Sequence, residues 1–288
     1  MYSPSALIER LNESSAPYRD PVARLNWDSL DLGIWWLPPQ AVSLAGVAAY
    51  ERLPFETRMR LSQFELVHVL EAGLWLEAFF IECLAGALEG LDDLALRRRM
   101  LHEIREEAGH GLMFIELMER SGVRIPDAAR YRPLLARGFR RVMTANSALF
   151  WPLVVICEEL PDKLNRTVRQ GVADATISAL VYHMTTLHII DEARHIAHSR
   201  AMCSARSHSI APWRKVLLSP LLARALKDFA RYLFYPPAAL YRLAGLPPAQ
   251  DWRRLATSNP RRRQFVAQAV KPTGEYLQSE GWQLRLND

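Results

Sequence analysis

Two short runs in this chain set a carboxylate and an imidazole one helical turn apart: Glu107-Ala-Gly-His110 and Glu192-Ala-Arg-His195. Side chains at i and i+3 of a helix share a face, so each pair can grip one ion or two neighbouring ions. With 19 glutamates and eight histidines among 288 residues, random spacing gives roughly half of one Glu-x-x-His pair, yet three occur. The third, Glu65-Leu-Val-His68, lies near the start of its helix, away from the other acids, and is read as ordinary structure. His188 stands four residues before Glu192 on the same face and is read as one more ligand, with Asp191 as the acceptor that orients a ligating ring. His198 is expected beside the ligands, and His102 and His183 are given no role. Mixed carboxylate and imidazole donors suit iron or manganese. Cys83, Cys157 and Cys203 are far apart with no Cys-x-x-Cys, which argues against a thiolate zinc cage or a disulfide framework.

The elements that must hold these groups are long helices. From Phe55 onward glycine and proline become scarce and apolar residues recur at steps of three and four. The pattern predicts helices over 54–88, 92–121, 132–169 and 174–203, with Asp92 capping the second, Gly122 ending it and Pro152 kinking the third. Glu77 interrupts the seam Val67, Leu70, Leu74, Ile81, Leu84, where a leucine belongs; Glu107 interrupts a second seam; His188, Glu192 and His195 interrupt a third. Buried carboxylates cost several kcal/mol unless paired or bound to a cation, so three in one core call for a partner of high positive charge. If the first two helices turn near Asp92, Glu77 and Glu107 lie level, which favours Glu77 over Glu71. On the third helix the stripe Leu149, Leu153, Ile156 runs on to Glu159, which favours Glu159 over Glu158. One Glu from each of two helices plus Glu-x-x-His from each of two others is the ligand pattern of ferritin-like dinuclear carboxylate sites. The expected fold is therefore all-α: a ferritin-like four-helix bundle with additional N- and C-terminal helices. The whole chain, 1–288, is read as one domain, with a core at about 55–205 and a tail at about 212–288 broken by Pro236-Pro237, Pro247-Pro248, Pro260 and Pro272. Residues 1–40 are read as an ordered arm draped over the body.

The ordered set Glu77, Glu107-x-x-His110, Glu159, then His188-Ile-Ile-Asp191-Glu192-Ala-Arg-His195 resembles the non-heme diiron N-oxygenases of the para-aminobenzoate N-oxygenase family. The histidine one turn before the last Glu-x-x-His is the most specific part of the likeness, which covers about residues 60–205. The resemblance implies that Glu77, Glu107, His110, Glu159, His188, Glu192 and His195 ligate two iron ions, manganese being an allowed substitute, and that dioxygen is a cosubstrate. It also implies oxidation of an amine nitrogen to a hydroxylamine or nitro group. Trp75, Phe79, Phe80, Phe114, Phe150 and Trp151 would form an apolar wall that excludes water.

Composition limits the alternatives. Apolar residues make up 50% and charged ones 23%, which suits a globular protein and not a disordered chain. The net charge is +5, and its arginine clusters lack interleaved aromatics, so no nucleic-acid partner is expected. No signal-peptide pattern and no stretch of about 20 apolar residues is present, so a cytoplasmic protein without membrane contact is expected. Expected partners are a small, partly aromatic amine, an electron donor and, in a homodimer, a second copy. A diiron hydroxylase or oxidase acting on carbon or a lipid-like substrate is the competing reading, and a non-enzymatic iron-binding protein is a third.

Overall fold

The computed structural model describes residues 4–132, 144, 147–170 and 177–285. The described part of the helix expected over 132–169 is helical only from Phe150, since Arg132, Thr144 and residues 147–149 are not helical, and 133–143 and 145–146 lie outside the described residues. That expected over 174–203 is helical from Ala179 to Ser209, with 174–176 outside them. In chain order the helices are α1 (Pro4–Ser15), α2 (Ala48–Glu51), α3 (Phe55–Ala87), α4 (Leu94–Ser121), α5 (Phe150–Gln170), α6 (Ala179–Ser209), α7 (Pro212–Phe234), α8 (Ala238–Leu243), α9 (Trp252–Ser258) and α10 (Pro260–Ser279). Among the described residues there is no strand, only one isolated bridge between Trp35 and Ile177.

The bundle is made of two hairpin-like pairs. α3 packs on α4 and α5 on α6, while contacts between α4 and α6 and between α3 and α5 close the core. The cap of α4 is Asp93, not Asp92: its carboxylate accepts from the backbone N–H groups of Ala95 and Leu96. Gly122 ends α4 in the left-handed region at φ 67°, which a glycine adopts at no steric cost. Pro152 falls in the first turn of α5, where no intrahelical bond is lost, so the kink expected there is not required. The interior proline is Pro161, whose missing N–H removes the donor that would serve the carbonyl of Cys157.

The N-terminal arm opens with a helix. α1 lies on α4 and α6, burying Ile8, Leu11, Asn12 and Ser15, and the Asn12 amide donates to the carbonyl of Ala95 at 2.9 Å. Further on, Trp36, Leu37 and Leu44 are wholly buried, each such side chain being worth about 1.5–3 kcal/mol of transfer free energy. The tail packs on the other side: α7 against α3 and α5, α10 against α5 and α7. A polar hub ties arm, bundle and tail together. Glu65 accepts from the backbone N–H of Ser43 at 2.9 Å and from the Ser43 hydroxyl, whose oxygen lies 3.1 Å from that of Tyr241. Arg262, also buried, donates to the carbonyls of Phe234 and Ala41 at 2.8 Å. His68 bonds the carbonyl of Tyr232 at 2.8 Å. The third Glu-x-x-His is thus spent on joining segments. No helix among the described residues is long and apolar enough to cross a membrane.

Candidate metal centre

Each helix of the bundle sends at least one ionisable group to one buried place. α3 supplies Glu77, α4 supplies Glu107 and His110, α5 supplies Glu158, and α6 supplies His188, Glu192 and His195. Two sets have donor atoms within 4.8 Å of one another: Glu77, His110 and His188, and Glu107, Glu158, Glu192 and His195. Glu107 and Glu192 face both sets. Oxygens of Glu107 lie 3.3 Å from Nδ1 of His110 and 3.0 Å from Nδ1 of His195. Oε1 of Glu192 lies 3.5 Å from Nδ1 of His110, 3.1 Å from Nε2 of His188 and 3.6 Å from Nδ1 of His195. Gly111 leaves room for the first glutamate: a Cβ there would sit 3.4 Å from Oε2 of Glu77.

Six of the seven residues singled out by sequence therefore meet, and the seventh is corrected. Glu159 points away from the cluster. It accepts from Nε of Arg200 at 2.6 Å and from the Thr273 hydroxyl of α10 at 2.8 Å. Glu158 takes its place and hydrogen-bonds Glu192. The apolar stripe was a poor guide because α5 is covered on several sides, by α6, α7 and α10. The expected aromatic wall is also only partly realised. Phe80 and Phe114 face the cluster, whereas Trp75 meets the Tyr232 ring, and Phe150 and Trp151 pack on each other, with Trp151 against His198.

Carboxylates behind the rings fix the histidines. Nε2 of His110 donates to Asp191 at 3.2 Å, and Nε2 of His195 to Glu106 at 2.9 Å, so both rings turn Nδ1 to the centre. Arg194 bridges Asp191 and Glu106. Arg99, fully buried, reaches Glu106 at 3.3 Å and Glu103 at 3.4 Å, and Glu103 accepts from His198 at 2.6 Å. His188 is oriented the other way, with Nδ1 3.0 Å from the Asn165 amide and Nε2 toward Glu192. Sequence reasoning missed Glu106, Glu103 and Asn165. A usable signal was present for the first two: Arg99, Glu103 and Glu106 recur at four and three residues on one face of α4.

The electrostatics ask for cations. Burial, then the neighbouring Glu107, pushes the Glu77 carboxyl well above the usual range; burial, then Glu192, does the same to Glu158. Burial also pushes on Glu192, but His188 and hydrogen bonds outweigh it and hold that carboxyl low. Burial would lower His110, yet bonds to Asp191 and Glu107 raise it to about 10. His195 is raised by Glu107 and Glu106 in the same way, against its burial. Two buried carboxylate oxygens in this one place, Oε2 of Glu77 and Oε1 of Glu158, make no hydrogen bond, while Oε1 of Glu107 and Nδ1 of His195 face only each other, 3.0 Å apart. Unsatisfied buried acceptors are expensive, and this convergence fits a pair of divalent cations. A narrow cavity adjoins the cluster, with about 40 Å³ of free volume, room for a few waters. Val69, Leu70, Phe80, Phe114 and Met184 line it, and Glu77, Glu158 and His188 stand at one side.

Residues 3–281 match the p-aminobenzoate N-oxygenase AurF family. The chain belongs to that family. Among curated proteins it is 21% identical over 249 residues to two uncharacterized proteins, Rv0885 of Mycobacterium tuberculosis and Mb0909 of Mycobacterium bovis, covering 84% of this chain and 72% of each relative. Among solved structures it resembles variants of an R2-like ligand-binding oxidase with reconstituted Mn/Fe cofactors. One superposes with a TM-score of 0.60 at 15% identity and another with 0.57 at 15%, each match covering 96% of this chain and 93% of the other. These neighbours support the ferritin-like bundle reading of the fold.

Proposed function

We propose that this member of the AurF family is a dioxygen-dependent oxygenase with a two-metal centre, and that it oxidises the nitrogen of a small, partly apolar amine. The observation that carries the proposal is the convergence of four carboxylates and three imidazoles beside an apolar cavity, with His188 presenting a third nitrogen to the same acids. Glu77, His110 and His188 would hold one ion, Glu158 and His195 the other, and Glu107 and Glu192 stand where a carboxylate reaches both. When bound, two iron ions, or iron with manganese, would supply the electrons for activating dioxygen.

The chain's own groups do the rest. Asp191 and Glu106 accept from the imidazole N–H groups at Nε2, which turns Nδ1 of His110 and His195 to the centre, where each would serve as a metal ligand. The four acids balance the charge of two divalent ions, so an uncharged substrate meets a site near neutrality. Phe80, Phe114 and Leu70 exclude water from the reacting centre. A ring-sized amine needs more room than the cavity now offers, and the flexible thioether of Met184 is the wall best able to yield.

The test supplies reduced, metal-loaded protein with ¹⁸O-labelled dioxygen and a panel of aryl and alkyl amines. Hydroxylamine or nitro products carrying the label are expected. Label found only on carbon would overturn the N-oxygenase assignment and leave the two-metal oxygenase standing; protein that binds neither iron nor manganese would sink both.

A further inference from the structure

A second concavity, away from the metal cluster, is lined by arginines. It has about 710 Å³ of free volume and lies between the segment Ala128–Tyr131 with Arg132, helix α7, and helix α9. Arg130, Arg132, Arg224, Arg231 and Arg253 line it against a single acid, Asp228. Five positive charges stand against Asp228 and, just outside the lining, Asp127 and Glu71, which leaves +2 there. Arg224 is paired with Asp228, Arg130 with Asp127 at 3.6 Å, and Arg132 stacks over Trp75 at 5.9 Å. Arg231 and Arg253 make no ion pair among the described residues. Guanidinium groups brought from three segments around one void can offer several donors at once to an anion placed between them.

A phenol joins the arginines. Tyr232 is 8% exposed and lines the cleft, with Arg132 and Glu71 acting on its hydroxyl. Burial pushes that hydroxyl up to about 12, so at neutral pH it keeps its proton and can donate to an acceptor. Its ring is held from behind by Trp75, and its backbone carbonyl by His68, which fixes the hydroxyl in place.

We infer that this cleft binds an organic phosphate. A carboxylate offers two oxygens and is served by one guanidinium. A phosphate monoester carries up to two charges on three terminal oxygens, which suits several arginine forks and a phenolic donor converging from different sides. The rings of Tyr131 and Tyr235 and the face of Pro237 supply an apolar margin for the ester's organic part. α3 separates the cleft from the metal cluster: Trp75 faces the cleft's Tyr232, while Glu77, on the opposite side of the helix, faces the cavity. The inference does not depend on the oxygenase reading.

Calorimetric titration of the full chain tests it, using phenyl phosphate, inorganic phosphate and benzoate at matched ionic strength. Phenyl phosphate should bind saturably, inorganic phosphate more weakly and benzoate most weakly. Arg231→Gln with Arg253→Gln should weaken phenyl phosphate by at least about tenfold, and Tyr232→Phe by a few-fold. Both arginines are exposed, so the doubly substituted protein should melt as the parent does. Equal binding of benzoate and phenyl phosphate, unchanged binding after the double substitution, or no saturable binding would each overturn the proposal.

Discussion

At the scale of single residues, the two tandem glutamates of α5 divide their work. Glu158 is one of the four buried carboxylates of the cluster, and Glu159 ties α5 to Arg200 and to Thr273 of α10. Glu158→Gln should therefore lower metal content, weakening one site by at least about tenfold, since a carbonyl replaces a charged donor. Glu159→Gln should keep its metal and lose about 1 kcal/mol of stability, the Arg200 partner being partly solvated. Elemental analysis and denaturant unfolding of the two variants check both; metal loss in Glu159→Gln with none in Glu158→Gln would reverse the assignment. The choice between these neighbours was not legible from sequence because both are largely buried. A stripe argument works only for a helix with one wet face, and α5 has little. Glu107, Glu192 and His195 were legible because each breaks a seam on a helix whose other side meets solvent or the arm, and His110 because it follows Glu107 by three residues.

At the scale of elements, the arm is seated by the absence of a side chain. A Cβ at Gly109 would lie 2.5 Å from the Tyr18 hydroxyl and 3.1 Å from the Pro21 ring. Neither can shift far, because the Tyr18 ring stacks with Arg105 and the chain turns at Asp20, whose carboxylate accepts from the N–H of Val22. Gly109→Ala should lift the arm from α4 at a cost of about 1–3 kcal/mol, read as faster limited proteolysis before residue 30 with helix content nearly unchanged. Proteolysis at the parent rate would show that the arm tolerates the methyl group. Helices α3 and α4 and the end of α4 at Gly122 could be read from periodicity and cap chemistry, whereas the expected third helix begins too early, since Thr144 and residues 147–149 are not helical. Helix α1 could not be read. Its buried positions, Ile8, Leu11, Asn12 and Ser15, keep the helical spacing, but half of them are polar, so no apolar stripe marks them.

At the scale of the whole molecule, the acids that make the site also strain the bundle. Glu77, Glu107, Glu158 and Glu192 share one buried volume and repel one another unless cations or protons intervene. Metal that binds only the folded chain adds its binding free energy to folding. Complete chelation should lower the melting temperature, with restoration on adding iron or manganese and none on adding magnesium, whose preference for oxygen ligands ill suits three imidazoles. A melting curve that ignores chelation would contradict buried ligation. The hub of Glu65, Ser43, Tyr241 and Arg262 lies outside this balance and should hold arm and tail together in either state.

Arg99 carries this further, into the order in which the protein is made. Its guanidinium is wholly enclosed, with Glu103 and Glu106 on one side and, on the other, the Ser15 hydroxyl at 2.8 Å and the Leu11 carbonyl. Those last two belong to α1, which is translated long before α4 and α6 exist to receive it. The earliest of these residues to be synthesised therefore wait for α4 before they find their seat. Until they do, the arginine that steadies the carboxylate behind His195 is short of two of its partners. A bulky fusion ahead of residue 4 thus bears on the seating of α1 against α4 and on the partners of Arg99.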